Sequence, residues 1–276
     1  MAKSQKQRGE GFALPTWTPA AAWAAALAAL AIGLAVWVPS LVDRARNAPL
    51  PGPVTVTLAG LPAWLPADER VAIERGIVKS VGASPFDRDG LVAARQVAER
   101  SGWYVEVAQV RRADVDRVVV DGTWCVPFAL VCDASGEHLI DTRGRLLPRD
   151  YAAGKGPRLL RLGGVSHPMP AVVGATWPGD EVAAALAMAA LFADRPWRTQ
   201  VASIDLSGWA RDGVLRMTTD RGCAITWGKA PGKESAAEVP ASQKLGMLQL
   251  AFDKTGRIDA GAPNALDLRG DMSVAR

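Results

Sequence analysis

Residues 84–112 read "SPFDRDGLVAARQVAERSGWYVEVAQVRR", and one hydrophobic period gives way to another partway along. Leu91, Ala94 and Ala98 recur at helical spacing behind Asp87, a residue type that caps helix starts, and Gly102 stops the pattern. From Trp103 the side chains alternate, Tyr104 and Glu106 on one face and Val105 and Val107 on the other, as a half-buried strand requires. A helix that hands over to a strand in this way packs against the sheet it enters.

Working upstream, "PADERVAIERGIVKSVG" (residues 66–82) predicts a second helix. Ile73, Ile77 and Val81 recur every four residues beside Val71 and Val78. Asp68 and Glu69 sit at the positive end of the helix dipole, and Gly82 ends it. Before it, "VTVTLAGL" (54–61) alternates as a strand. Downstream, "DRVVVDGTWCV" (116–126) is a more continuous apolar strand. The order is strand, helix, helix, strand, strand, which is an α+β layer with helices on one face of a three-stranded sheet.

From Val126 onward the signals are mostly β. The stretch "EHLIDTRGRLLP" (137–148) holds His138, one of only two histidines in the chain, three residues before Asp141. A base and its orienting carboxylate must share a face, and residues three apart on a strand face opposite ways. The stretch is therefore expected to be a hairpin. Asp141 to Gly144 make the turn, Ile140 and Leu146 face the core, Pro148 ends the second strand, and the imidazole is exposed. A loop-rich region follows. A helix over "GDEVAAALAMAALFADRPW" (179–197) presents Val182, Leu186, Ala189 and Ala193 on one face. Three strands come next, "VASIDLSGW", "GVLRMTTDRG" and "CAITWG". A last helix, "SQKLGMLQLAFDKTG", is capped by Ser242, and "ALDLRGDMSVAR" (265–276) closes the chain as a strand pair.

The N-terminal segment "PAAAWAAALAALAIGLAVWV" (19–38) is uncharged and long enough to cross a bilayer as a helix. Trp17, Trp23 and Trp37 lie towards its ends, as interfacial aromatics do. A cleaved signal peptide is the alternative; this apolar run is longer than a signal core, and no small-residue cleavage site follows. Of the net charge of +4, residues 1–46 supply three charges. That asymmetry suits membrane topology, with residues 1–18 cytoplasmic, 19–38 the anchor, 39–53 a proline-rich linker, and the remainder extracytoplasmic. No interleaving of basic and aromatic residues suits nucleic acid.

Three cysteines leave two readings open: a Cys125–Cys132 bridge with Cys223 left over, or three buried thiols. Their spacing fits no zinc site. His167 lies in a proline-bounded loop. No Ser-x-x-Lys or Gly-x-Ser-x-Gly motif occurs, and "GKAPGKES" lacks the spacing and hydroxyl of a phosphate loop. The residues therefore name no catalytic group, metal, cofactor or small-molecule substrate.

The ordered set of stretches resembles the bacterial cell-division proteins FtsQ and DivIB. Pro85-Phe86 before the second helix, the Trp103 strand with its Val-x-x-Ala-x-Val-x-Arg pattern, "HLIDTRGRLLP", "GVLRMTTDRGCAITWG", "KLGMLQL" and "ALDLRGDMSVAR" each match that family's sequence habit, in its order. The chain departs from it at Ala113-Asp114-Val115, where a proline is usual, and at Gly270, where an aromatic is usual.

The resemblance implies a POTRA-like β-α-α-β-β module (54–122) and a mostly antiparallel β domain with two or three helices (123–276). It implies a non-enzymatic, single-pass scaffold in the cytoplasmic membrane. The partners would be other division proteins, small coiled-coil FtsB- or FtsL-like chains, added as a strand to the last strand pair. Leu266, Leu268, Arg269, Met272 and Val274 are the residues expected there. A plain final hairpin without a partner is the competing reading of that pair. An anchored cell-wall enzyme and a POTRA module of outer-membrane protein transport are the competing functions.

Overall fold

A computed structural model of the protein describes residues 18–46, 52–82, 87–261, 265–270 and 273–274. The fold is mixed α+β with an N-terminal apolar helix. That helix, α1, runs from Thr18 to Arg46. The expected linker begins too early, since residues 39–46 are helical. Pro39 removes one backbone donor, but Leu, Ala and Arg behind it are good helix formers. The Ser40 hydroxyl donates to the Trp37 carbonyl, 2.8 Å away. From Ala21 to Arg44 the helix is long and apolar enough to cross a membrane, and none of that span is buried against the rest of the protein. Trp23 and Trp37 are both exposed. They are separated by about 21 Å along the helix axis, less than the ~30 Å of a hydrocarbon core. Trp17 lies outside the described residues.

The first module follows the expected element order: β1 (Thr55–Leu58), α2 (Ala67–Ser80), α3 (Arg88–Arg100), β2 (Tyr104–Asp114) and β3 (Arg117–Trp124). The sheet order is β1-β3-β2, with β1 parallel and β2 antiparallel to β3. Ile73, Ile77, Ala94 and Ala98 bury the helices against Val107, Val118 and Val120. Val71 and Val78 turn outward instead. Asp87 caps α3, accepting from the Gly90 amide at 2.8 Å. Two bonds, from Gly90 and Gly82, hold its carboxyl below the usual range.

The rest of the chain builds one nine-stranded sheet, in the order β12-β11-β10-β9-β8-β7-β4-β5-β6. Its strands are β4 (Pro127–Asp133), β5 (Gly136–Asp141), β6 (Leu146–Tyr151), β7 (Leu160–Gly163), β8 (Val201–Asp205), β9 (Leu215–Thr219), β10 (Ala224–Gly228), β11 (Leu266–Asp267) and β12 (Ser273–Val274). Most neighbours are antiparallel, but β4 with β7, β7 with β8, and β10 with β11 run parallel. The strand β7 falls in what the sequence suggested was loop. Helices α4 (Glu181–Ala190), α5 (Trp209–Asp212) and α6 (Ala241–Thr255) complete the module. Helix α4 stops short of Ala193. Helix α6 begins behind Pro240, so Ser242 is not its cap. Proline at that position fixes the extended backbone from which a helix starts.

The two modules share packing. Alternation along β4 sends Ala129 and Val131 into the core around α4, and Leu130 into the core of the first module, joined there by Leu139 and Leu147. Each buried leucine contributes about 1.5–3 kcal/mol. The Cys125 amide also donates to the Trp103 carbonyl at 2.8 Å. Strand β3 continues to Trp124, so the junction falls slightly later than residue 122.

Candidate interaction site

The last strand pair ends the sheet. Leu266 and Asp267 pair in parallel with Ile225 and Thr226, and the Leu268 amide donates to the Thr226 carbonyl at 2.9 Å. On the other side Leu266 faces Val274 and Asp267 faces Ser273, antiparallel. Strand β12 is thus the terminal strand in the sheet order. A terminal strand carries a row of amides and carbonyls that its own sheet does not use.

A buried charge lies near these strands, within electrostatic reach of Asp267. Lys244, on α6, is fully buried. Its ammonium lies 2.5 Å from Glu238 Oε1 and 5.1 Å from the centre of the Trp227 ring on β10. Glu238 also accepts the Lys229 amide at 2.8 Å. Gly228 makes room for this carboxylate: its φ is 102°, and a Cβ there would collide with Glu238 Oε1. The Val239 amide donates to the Arg269 carbonyl at 3.0 Å, which ties the Glu238 segment to the terminal strands. The signal for Lys244 was its position, four residues before Leu248 on the apolar stripe of α6.

The expected contact residues divide. Leu268 is 2% exposed and belongs to the core, so its side chain cannot meet a partner; the parallel pairing with β10 turns it inward. Leu266 is half-buried and also packs on that core. Arg269 is held by Asp267, Nη2 to Oδ2 at 2.6 Å, and each holds the other in its charged form. Val274 is part of β12, and Met272 lies outside the described residues.

The two histidines are engaged elsewhere. His138 is buried, not exposed as the sequence suggested. Its Nδ1 lies 2.8 Å from Asp150 Oδ1, and its Nε2 lies 3.1 Å from Asp133 Oδ1 and 2.9 Å from Ser135 Oγ. Burial alone would lower its pKa, but bonds to Asp150 and Asp133 outweigh it and raise it above the ordinary value. Asp141 takes a different partner: it makes the turn, accepting the Arg143 and Arg145 amides, and binds the Arg145 guanidinium at 2.7 Å. Strand β6 runs past Pro148 to Tyr151.

His167 sits with Ser166 on the buried carboxylate of Glu181, which accepts both their amides and the Ser166 hydroxyl. Burial would raise that carboxyl, and these bonds hold it lower. The Ser166 hydroxyl also lies 3.2 Å from His167 Nδ1, which is itself 3.2 Å from Glu181 Oε1.

All three cysteines are free thiols. Strand β4 lies between Cys125 and Cys132 and extends about 3.3 Å per residue, which separates them far beyond the ~7 Å limit for a bridge. Burial pushes both thiols up. Among the described residues no group of three or more His, Cys, Asp and Glu side chains could hold a metal ion.

No protein-family model matches the chain. No curated protein matches it. Among solved structures it is similar to the major extracytoplasmic domain of the trans isomer of the bacterial cell-division protein DivIB from Geobacillus stearothermophilus. The identity is 15% and the TM-score 0.29, over 39% of this chain and 81% of that one. A likeness of that degree leaves function to the chain's own residues.

Proposed function

We propose that the chain is a non-enzymatic scaffold of the bacterial division machinery, anchored in the cytoplasmic membrane by α1 with its N-terminus in the cytoplasm. The first module is POTRA-like and lies near the membrane. The nine-stranded module holds division partners outside the cytoplasm and so regulates septal wall synthesis. The partners are small coiled-coil FtsB- or FtsL-like chains, which extend the sheet at β12 by strand addition.

The observation that carries this reading is the terminal position of β12, after an element order that follows the sequence motifs of the FtsQ and DivIB family from residue 85 to the C-terminus. Among the described residues near that edge, Asp267 is paired with Arg269 and Glu238 with Lys244. Peptide groups are then what the edge offers, and a β-strand is what peptide groups select. The test is a photo-crosslinking residue at Ser273 in living cells. Capture of division-complex proteins is expected. Capture of outer-membrane assembly factors alone overturns the proposal.

A further inference from the structure

The two modules meet along an open cleft of about 300 Å³, well away from β12. Trp64 and Trp103, from the loops before α2 and β2, form one wall. Leu139, Tyr151, Pro157 and Leu159 form the other. The indoles are tilted together at 5.9 Å between ring centres. Trp103 is buried, whereas Trp64 leaves 37% of its surface in water. Such a space is at the lower end of the range for ligand pockets. It has room for an anchoring side chain and its neighbours, not for a whole cofactor.

The chemistry of the walls narrows the occupant. The Trp103 indole N–H already donates to Glu69 at 3.1 Å, and Pro157 has no amide proton to give. Among the described residues the Trp64 indole N–H and the Tyr151 hydroxyl have no partner, so they can meet the carbonyls of an extended peptide. Aromatic and proline faces between such donors suit a proline or aliphatic side chain, as in polyproline recognition.

Charge narrows it further. Arg149, whose guanidinium lies over the Tyr151 ring at 5.8 Å, is shared by Asp68 at 2.8 Å and Glu69 at 3.7 Å, so it is not free for a partner. Lys155 and Arg158 flank Pro157 and are exposed. Neither has an acidic partner among the described residues. On the Pro157 side of the cleft, the charges left for a partner are these two cations.

Thr55, near the start of the module, pairs with Arg117 at one end of the three-stranded sheet. Tyr104, next to Trp103, pairs with Trp124 at the other end. The cleft is therefore at the end of that sheet opposite Thr55.

We propose that this cleft binds an acidic peptide segment of a partner protein. A proline or aliphatic side chain sits between Trp64 and Leu159, and flanking carboxylates meet Lys155 and Arg158. This surface is distinct from the β12 edge and stands whether or not that edge binds a division protein.

The test uses the full chain in lipid nanodiscs, with a displayed library of random peptides as the probe and empty nanodiscs as counter-selection. Enriched peptides are expected to carry proline or leucine beside Asp or Glu. Fluorescence anisotropy then measures their affinity for the wild type, for Leu159→Asp, and for Lys155→Glu with Arg158→Glu. Leu159→Asp should abolish binding. The double charge reversal, at two exposed positions that leave the fold intact, should weaken it about tenfold or more. The proposal is overturned if no peptide is enriched, if the enriched peptides lack acidic residues, or if neither variant changes affinity. It is also overturned if chitotetraose or phosphatidylglycerol vesicles compete as well as the peptides do.

Discussion

The two ends of the nine-stranded sheet are built on opposite plans. At the β6 end the strands have six or seven residues, and both faces are covered, one by α4 and the other by the first module. That edge is partly closed as well: the Leu146 amide donates to Ala175 and its carbonyl accepts from Gly174, at 2.9 and 2.8 Å. At the β12 end the described strands have two residues each, and no described segment closes the outer side. The first end is made to stay shut. The second end has Leu266 and Leu268 on the core around α4 and a buried ion pair, Lys244 with Glu238, close by.

That ion pair is where the comparison breaks most easily. Lys244→Ala leaves the Glu238 carboxylate buried beside Trp227 without its partner, at an expected cost of about 3–5 kcal/mol. Replacing both, Lys244→Met with Glu238→Leu, removes the stranded charge and should recover most of that loss. Urea unfolding of the full chain in detergent measures both. A Lys244→Ala variant as stable as the wild type would mean that the pair does not hold this end together.

A second contrast comes from one substitution made at each end. Leu130→Ala opens a cavity between two modules that cannot collapse around it, so it should fall in the upper part of the 2–5 kcal/mol range for such changes. Leu268→Ala lies just after β11, a two-residue strand that can relax, and it should fall in the lower part. Equal losses would show that the two ends are equally rigid.

The third prediction concerns pH, at the β6 end. His138 holds the Asp133 turn and Asp150 of β6 at once. Its pKa is raised by folding. The stability it adds is therefore fully present below its unfolded pKa of about 6.5 and is lost as pH rises through the higher folded value. His138→Gln removes that dependence. The stability difference between wild type and variant should be largest near pH 5 and shrink towards pH 8. A difference that grows with pH would contradict the geometry.

How much of this was legible depended on how local each feature is. The helices α2 and α3, the Asp87 cap and the Asp141–Gly144 turn follow from spacing and from residues a few positions apart. His138 was misjudged because its partners come from a turn and from the neighbouring strand, and nothing in "EHLID" records them. Leu268 was expected among the residues that meet a partner strand. The parallel pairing with β10 that turns it inward depends on a contact across forty residues of sequence. Lys244 was hidden for a related reason: a lysine on an apolar stripe is ordinarily an exposed neighbour, and only the return of Glu238 beneath Trp227 gives it a buried partner. The cleft between Trp64 and Leu159 was invisible for the same cause, since its walls come from both modules.

The smallest expected change in stability is also the sharpest test of the open edge. In an antiparallel strand the amide and carbonyl of one residue point to the same side, and the next residue points to the other. Of Ser273 and Val274, one therefore bonds to β11 and the other faces outward. Proline at the outward position removes no ladder bond, and edge strands tolerate it, so stability should change by less than about 0.5 kcal/mol. The same proline deletes a donor and places a ring where an added strand would lie, so in-cell crosslinking to the partner should be lost. Proline at the inward position should instead loosen β12 itself. The two variants together separate a recognition edge from a plain final hairpin: if neither proline affects partner capture while the fold holds, strand addition at β12 is wrong.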